Sequence, residues 1–292
     1  MPLTHLSHPE DTILTGDMTA IDVLYGRGNV SMKMDGAPAI VWGTHPENGK
    51  FFVGTKSVFN KKKIRICYTE ENIREYYNHQ PEVEKILLDC LKYLPRTEGV
   101  YQGDYIGEGG SDTYTPNTLT YNFPEVVSED IIIAPHTYYL GDDFPTMEAY
   151  PIEGELISTD SCKFVQPVVD RVYSNVRVPK INTDMIDFLS EKEAKQAKMS
   201  INAIIRSGQE LDEETLIDIV GSPMLANLYM YVLEMKYDLM ETFITYNSPD
   251  CYLNGEKIVG EGFVMTSEDG NTIKLVNRPQ FAYANMTQGR FN

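Results

Sequence analysis

From about Val30 to Val178 the chain carries short apolar and β-branched runs separated by Gly, Pro and Asn, a pattern that predicts strands and turns. One stretch differs. Thr69 offers an N-cap, and Val83, Ile86, Leu87 and Leu91 follow at helical spacing, so a helix is predicted to continue through Glu82 to Tyr93. After Asn182 the period changes again. Ser190-Glu191-Lys192-Glu193 has the form of a capping box, and Ser222-Pro223 sets a cap before a proline that a first helical turn tolerates. Leu225, Leu228, Tyr229, Val232, Leu233 and Met240 then form an apolar stripe. Residues 183–246 therefore read as a helical insertion, an accessory lid or substrate platform, between strand-rich parts 1–182 and 247–292. The fold class expected is α+β. Met199, Met224, Met230, Met235 and Met240 in the insertion suit either a core stripe or an adaptable binding face.

With 292 residues, 42% of them hydrophobic, the chain can bury a large core. Cys67, Cys90, Cys162 and Cys251 stand far apart without a Cys-x-x-Cys pair, which argues against a zinc site and against a disulfide framework. Reduced thiols, no signal peptide in Met1 to Gly16 and no run of about 18 apolar residues lead us to expect a soluble cytoplasmic protein with no membrane partner. The net charge of −18 changes the picture for nucleic acid: the overall field repels phosphate, so any such partner needs a local basic patch. Lys61-Lys62-Lys63-Ile64-Arg65 is the dense basic run, either a solvated loop or a contact for a polyanion.

Candidate chemistry lies in four short motifs. Lys33-Met34-Asp35-Gly36 presents a lysine two residues before Asp-Gly. Val100-Tyr101-Gln102-Gly103-Asp104-Tyr105-Ile106 is an apolar strand with a Gly-acidic centre. Glu261-Gly262-Phe263-Val264 and Ile273-Lys274-Leu275-Val276-Asn277 follow near the end. In this order the motifs resemble those of the covalent nucleotidyltransferases, the ATP-dependent DNA and RNA ligases and mRNA-capping enzymes. Lys274, Asn277 and Phe281 bring the likeness closest to phage-type RNA ligases.

The resemblance implies a ligase-type nucleotidyltransferase domain of twisted antiparallel sheets, with ATP and Mg2+ or Mn2+ as cofactors and a lysyl-AMP intermediate. It implies nucleic-acid 5′-phosphate ends as partners, RNA in preference to DNA. Lys33 is then the nucleophile within a nucleotide-binding motif completed by Asp35 and Gly36. Asp104 is the ribose or metal carboxylate, Glu261 the metal-associated acid and Lys274 the α-phosphate lysine. Lys56, in Gly54-Thr55-Lys56-Ser57, is a further phosphate-contacting cation. Tyr121 and Tyr138 are both candidates for the aromatic platform of the base, and Tyr138 enters the binding set. Pro38 stands where many members carry a basic or amide side chain, Asp104 replaces a glutamate, and Val276 replaces a second lysine, whose part Arg278 or Lys56 could take. Because Asn292 follows soon after the last motif, the likeness is to a catalytic domain without the oligonucleotide-binding barrel.

Turn chemistry adds a geometric expectation. If Asp269-Gly270 is a two-residue hairpin turn, Met265 lies opposite Lys274, and Glu261, Phe263, Met265, Lys274 and Val276 point one way. Glu261 would then sit about 13 Å along the hairpin from Lys274. His5 and His8 read as structural, and Gly107-Glu108-Gly109-Gly110, lacking the Lys and Ser/Thr of a phosphate loop, reads as a turn. Two rival functions share these residues: a nucleotide- or nucleic-acid-end-binding protein without turnover, and nucleotidyl transfer to another acceptor.

Overall fold

A computed structural model describes residues 6–26, 28–171 and 181–281. In chain order these form α1 (Pro9–Thr12), α2 (Thr19–Tyr25), β1 (Gly28–Lys33), β2 (Ala39–Thr44) and β3 (Phe51–Gly54). Next come α3 (Glu70–Tyr77), α4 (Pro81–Tyr93), β4 (Val100–Glu108), β5 (Thr113–Tyr114), β6 (Leu119–Asn122) and β7 (Ile131–Leu140). After β8 (Glu148–Pro151), β9 (Cys162–Phe164) and β10 (Val168–Arg171), three helices follow: α5 (Glu191–Arg206), α6 (Glu213–Val220) and α7 (Pro223–Glu241). The chain ends in β11 (Phe243–Tyr246), β12 (Asp250–Leu253), β13 (Glu256–Ile258), β14 (Gly262–Ser267) and β15 (Thr272–Val276). This is a mixed α+β architecture in which antiparallel pairing dominates. No described helix is long and apolar enough to cross a membrane.

The chain divides into two compact units. The first comprises Met1–Thr4, Met34–Pro167 and Asn247–Gly260; the second comprises His5–Lys33, Val168–Tyr246 and Glu261–Asn292. In the first, a six-stranded sheet of order β3-β2-β4-β7-β8, with β9 beside β7, buries Ile40, Trp42, Tyr105 and Ile133 against Ile73, Leu87 and Cys90 of α3 and α4. A second sheet of order β13-β12-β6-β5 belongs to the same unit. The helix expected from Thr69 is capped there as predicted, the Thr69 hydroxyl accepting from the Asn72 N–H, but the chain breaks it at Asn78–Gln80 into α3 and α4. Pro81 is the reason: its ring disfavours a helical residue before it and suits the first position of a new helix.

In the second unit the sheet β1-β14-β15 packs one face on the helices. Met32, Phe263, Met265, Ile273 and Leu275 form one core with Ile201, Leu216, Leu225, Tyr229 and Val232 of α5, α6 and α7. The predicted capping box at Ser190 and the Ser222 cap before Pro223 both form. The helical segment shares a core with three strands, where an accessory insertion bounded at 183 and 246 was expected. The strands' alternation leaves an apolar face that the helices' stripe covers together with Ile21 and Leu24 of α2, so the division of the chain follows burial and not sequence continuity.

Candidate functional site

In the second unit β1 pairs with β14 so that Lys33 lies opposite Gly262 and Ser31 opposite Val264; β14 pairs with β15 so that Gly262 meets Val276 and Val264 meets Lys274. Opposed residues share a face, so Lys33 and Lys274 emerge on the same side, away from the helical core. Two strand spacings and two residues separate their Cα atoms by about 12 Å, within reach of two lysine side chains pointing at a shared anion. Glu261 lies just before β14, and its carboxylate forms an ion pair with the Lys33 ammonium. The Lys33 side chain is 33% exposed and that of Glu261 19%, so the pair is neither solvated nor sealed. Burial, then the Arg278 guanidinium and more weakly Lys33, hold the Lys274 ammonium below its ordinary range, against the opposing pull of Asp11 and Glu261.

This arrangement corrects the hairpin register. The loop has three residues, Glu268–Gly270: Ser267 donates to the Asn271 carbonyl at 2.9 Å, and Gly270, at φ 81, donates to the Ser267 carbonyl. An αL glycine closing a three-residue turn shifts every pairing by one, and a one-residue shift exchanges the faces. Phe263 and Met265 therefore face the core, while Lys274 and Val276 lie on Lys33's side.

Arg278 is not free to take the part of the missing second lysine. It donates to Asp11 at 2.8 Å, Glu10 at 3.2 Å, the Tyr229 hydroxyl at 3.2 Å and the Asn202 carbonyl oxygen at 2.7 Å. Lys236, fully buried, donates to Glu10 at 2.7 Å in the same network. Partial burial, with Arg278, Lys274 and Lys236 nearby, holds the His8 imidazole far below its usual range. His5 lies outside the described residues.

The first unit gathers a different set. Asp35 follows Lys33 by two residues in the sequence, and here its N–H donates to the Tyr121 hydroxyl at 2.7 Å while Asn117 donates to its carboxylate at 2.6 Å. Ala37 N–H donates to the Tyr105 carbonyl and Tyr105 N–H to that of Pro38, binding this loop to β4. Gly36 is needed at the crossing: a Cβ there would stand 2.5 Å from the Tyr105 oxygen and 3.0 Å from Asp104 Cβ. Asp35, Gly36 and Asp104 are thus brought together. Asp104 lies 3.7 Å from His136 Nε2, which lies 3.4 Å from the Gln102 amide nitrogen. The Tyr139 hydroxyl donates to the Gln102 carbonyl oxygen at 2.7 Å, and burial pushes that hydroxyl's pKa up to about 12, so it remains a donor.

The two tyrosine candidates separate. Tyr121 is fully buried and acts as a post for the Asp35 backbone. The Tyr138 ring lies tilted against Tyr101, centroids 5.2 Å apart, and Tyr101 stacks on Trp42, which puts Tyr138 on the other side of β7 from Tyr139 and Gln102. Lys56 is exposed at the start of a 3-10 turn, Lys56–Phe59, and no hydrogen bond or ion pair joins it to Asp35 or Asp104 among the described residues. Asn117, Gln102 and His136 escaped sequence reasoning as site residues. Asn117 alone carried a signal, its place two residues before the strand holding Tyr121.

No three His, Cys, Asp or Glu side chains are gathered as a cation cage among the described residues. Magnesium characteristically takes one or two carboxylates with phosphates and water as its other ligands, and Asp104 in the first unit and Glu261 in the second each offer the hard oxygen donors it prefers.

The chain belongs to a family of unknown function, DUF6267, which it matches over residues 4–220 and 218–290. No curated protein and no solved structure matches it.

Proposed function

We propose that this DUF6267 member is an ATP-dependent nucleotidyltransferase of the ligase type that forms lysyl-AMP on Lys33 and passes the AMP to the 5′-phosphate end of a nucleic acid, RNA in preference to DNA. The observation that carries the reading is the convergence of Lys33, Glu261 and Lys274, from motifs more than two hundred residues apart, on one side of the sheet β1-β14-β15. The fold we assign is the twisted antiparallel nucleotidyltransferase domain; the Asp35–Gly36 loop seated on Asp104 supports it.

In the first step the neutral Lys33 amine attacks the α-phosphorus in line; an N–P bond forms as the P–O bond to pyrophosphate breaks. Glu261, already paired with this amine, is the nearest carboxylate to accept its proton. Lys274, its ammonium partly desolvated, stabilises charge on the phosphate where a dry setting strengthens each Coulomb interaction. A divalent cation held by Glu261 would supply further positive charge to the phosphates. In the second step a 5′-phosphate oxygen attacks the adenylyl phosphorus, the N–P bond breaks, and the Lys33 nitrogen takes up a proton.

Intact mass after incubation with ATP and magnesium tests this. The wild type should gain one AMP, acid-labile and alkali-stable, with ATP preferred to GTP. Equal or greater labelling by GTP would favour a capping-like transfer to another acceptor. A second reading is nucleotide binding without turnover, favoured by Val276 at the position of the second lysine and by the engagement of Arg278 elsewhere. Binding of ATP with no gain of mass would select it.

A further inference from the structure

Residues 48–69 carry six cations, Lys50, Lys56, Lys61, Lys62, Lys63 and Arg65, and no Asp or Glu, within a chain of net charge −18. The segment is pinned at its base. Val53 and Cys67 exchange backbone hydrogen bonds at 2.9 and 3.0 Å, Val58 and Cys67 are fully buried, and the Arg65 guanidinium lies 5.4 Å from the Tyr77 ring centre. Its tip is not buried: Lys61, Lys62, Lys63 and Ile64 are exposed, and so is Lys56. Several other cations among the described residues meet carboxylates: Lys33 with Glu261, Lys85 with Glu108, Lys163 with Glu129, Lys236 with Glu10, Lys257 with Asp250. The four arm lysines have no carboxylate within ion-pair distance among those residues.

We propose that this arm is a contact surface for the sugar-phosphate backbone of an RNA strand. The inference deepens the proposed function and rests on it for the identity of the polyanion. A run of like charges with no local counterion repels itself, and its fixed base keeps the repelling charges together; a phosphate strand supplies the missing counterions. Lysine ammonium groups are flexible point charges that satisfy phosphates in any register, which suits positioning an end without reading its sequence. The chain's acidic field opposes long-range capture, so affinity has to come from such a local patch. An acidic polypeptide is the alternative partner for the same charge.

The test measures anisotropy of a labelled, short, 5′-phosphorylated single-stranded RNA without ATP, across a range of KCl concentrations. Replacing all three of Lys61→Gln, Lys62→Gln and Lys63→Gln should weaken binding at least about tenfold in low salt and reduce the slope of log affinity against log salt by about 2, at roughly 0.7 per single-strand phosphate. Lys192→Gln with Lys195→Gln, on the exposed side of α5, removes two positive charges against the arm variant's three and should leave the slope unchanged. Equal loss in both variants, wild-type slope in the triple variant, or an acidic polypeptide binding the arm more tightly than the RNA overturns the proposal. Because ATP is absent, a wild type that never gains AMP but loses RNA with the triple variant would sink the proposed function and leave the arm's role standing.

Discussion

The second unit contains two charge clusters built on opposite terms. Around Glu10, fully buried, Lys236 and Arg278 face Glu10 and Asp11, and Tyr229 and Asn202 complete the hydrogen bonds. On the far side of the sheet from the helices, Lys33 and Lys274 are half-exposed and repel one another beside Glu261. The first cluster balances acids against cations. The second has a surplus of positive charge that an anion would relieve. Closed ionic networks hold a fold together because removing one member strands a charge in low dielectric, whereas an open cationic cluster costs some stability and is ready for a ligand.

The sharpest way to break this contrast is Lys33→Ala. We expect complete loss of the AMP adduct, with unfolding free energy changed by no more than about 1 kcal/mol because a partly exposed pair contributes little. A mass gain surviving in this variant would show that the nucleophile lies elsewhere. Lys236→Met should do the reverse, costing about 3 kcal/mol in urea denaturation by removing one of the two cations that face buried Glu10 and leaving Arg278 to serve both Glu10 and Asp11. Adding Glu10→Gln should recover part of that loss; no recovery would mean that packing, not charge, is at stake there.

Lys274→Ala should slow adduct formation by about 3 kcal/mol, the scale of a lost electrostatic stabiliser, at nearly unchanged stability. A large fall in melting temperature would instead assign Lys274 to the closed cluster. The smallest effect is a pH response. His8 has its folded pKa held below its ordinary 6.5, so the unfolded chain binds the extra proton first. Its contribution is complete above pH 6.5 and is lost as pH falls, by about 1.4 kcal/mol per pH unit in the window just below. The stability difference between wild type and His8→Gln should stay constant above pH 6.5, and the wild type should lose stability relative to the variant as pH falls below it; curves parallel throughout would remove His8 from the network's energetics.

How much of this was legible beforehand differs from residue to residue. The caps at Thr69, Ser190 and Ser222 form as read, because capping depends on a few neighbouring atoms. The α+β class followed from periodicity for the same local reason. The Asp269-Gly270 signal located the hairpin but not its loop length, since two- and three-residue turns share that chemistry, and the difference reversed which residues of β14 share a face with Lys274. Gly36 was legible as part of a motif, yet the need for glycine there arises from the approach of Tyr105 and Asp104, seventy residues on.

Charge partners were the least legible. Arg278 looked available in the sequence, and only folding surrounds it with Glu10, Asp11, Tyr229 and Asn202. Likewise Tyr121 was one tyrosine of 19 until its hydroxyl met the Asp35 N–H. By itself the sequence determined where helices begin, which runs are strands and where cations outnumber acids, because those depend on near neighbours and composition. Tertiary structure alone decided which lysines stand with which carboxylates, and which charges are sealed or open, because ion pairing and burial depend on distances that chain separation does not encode.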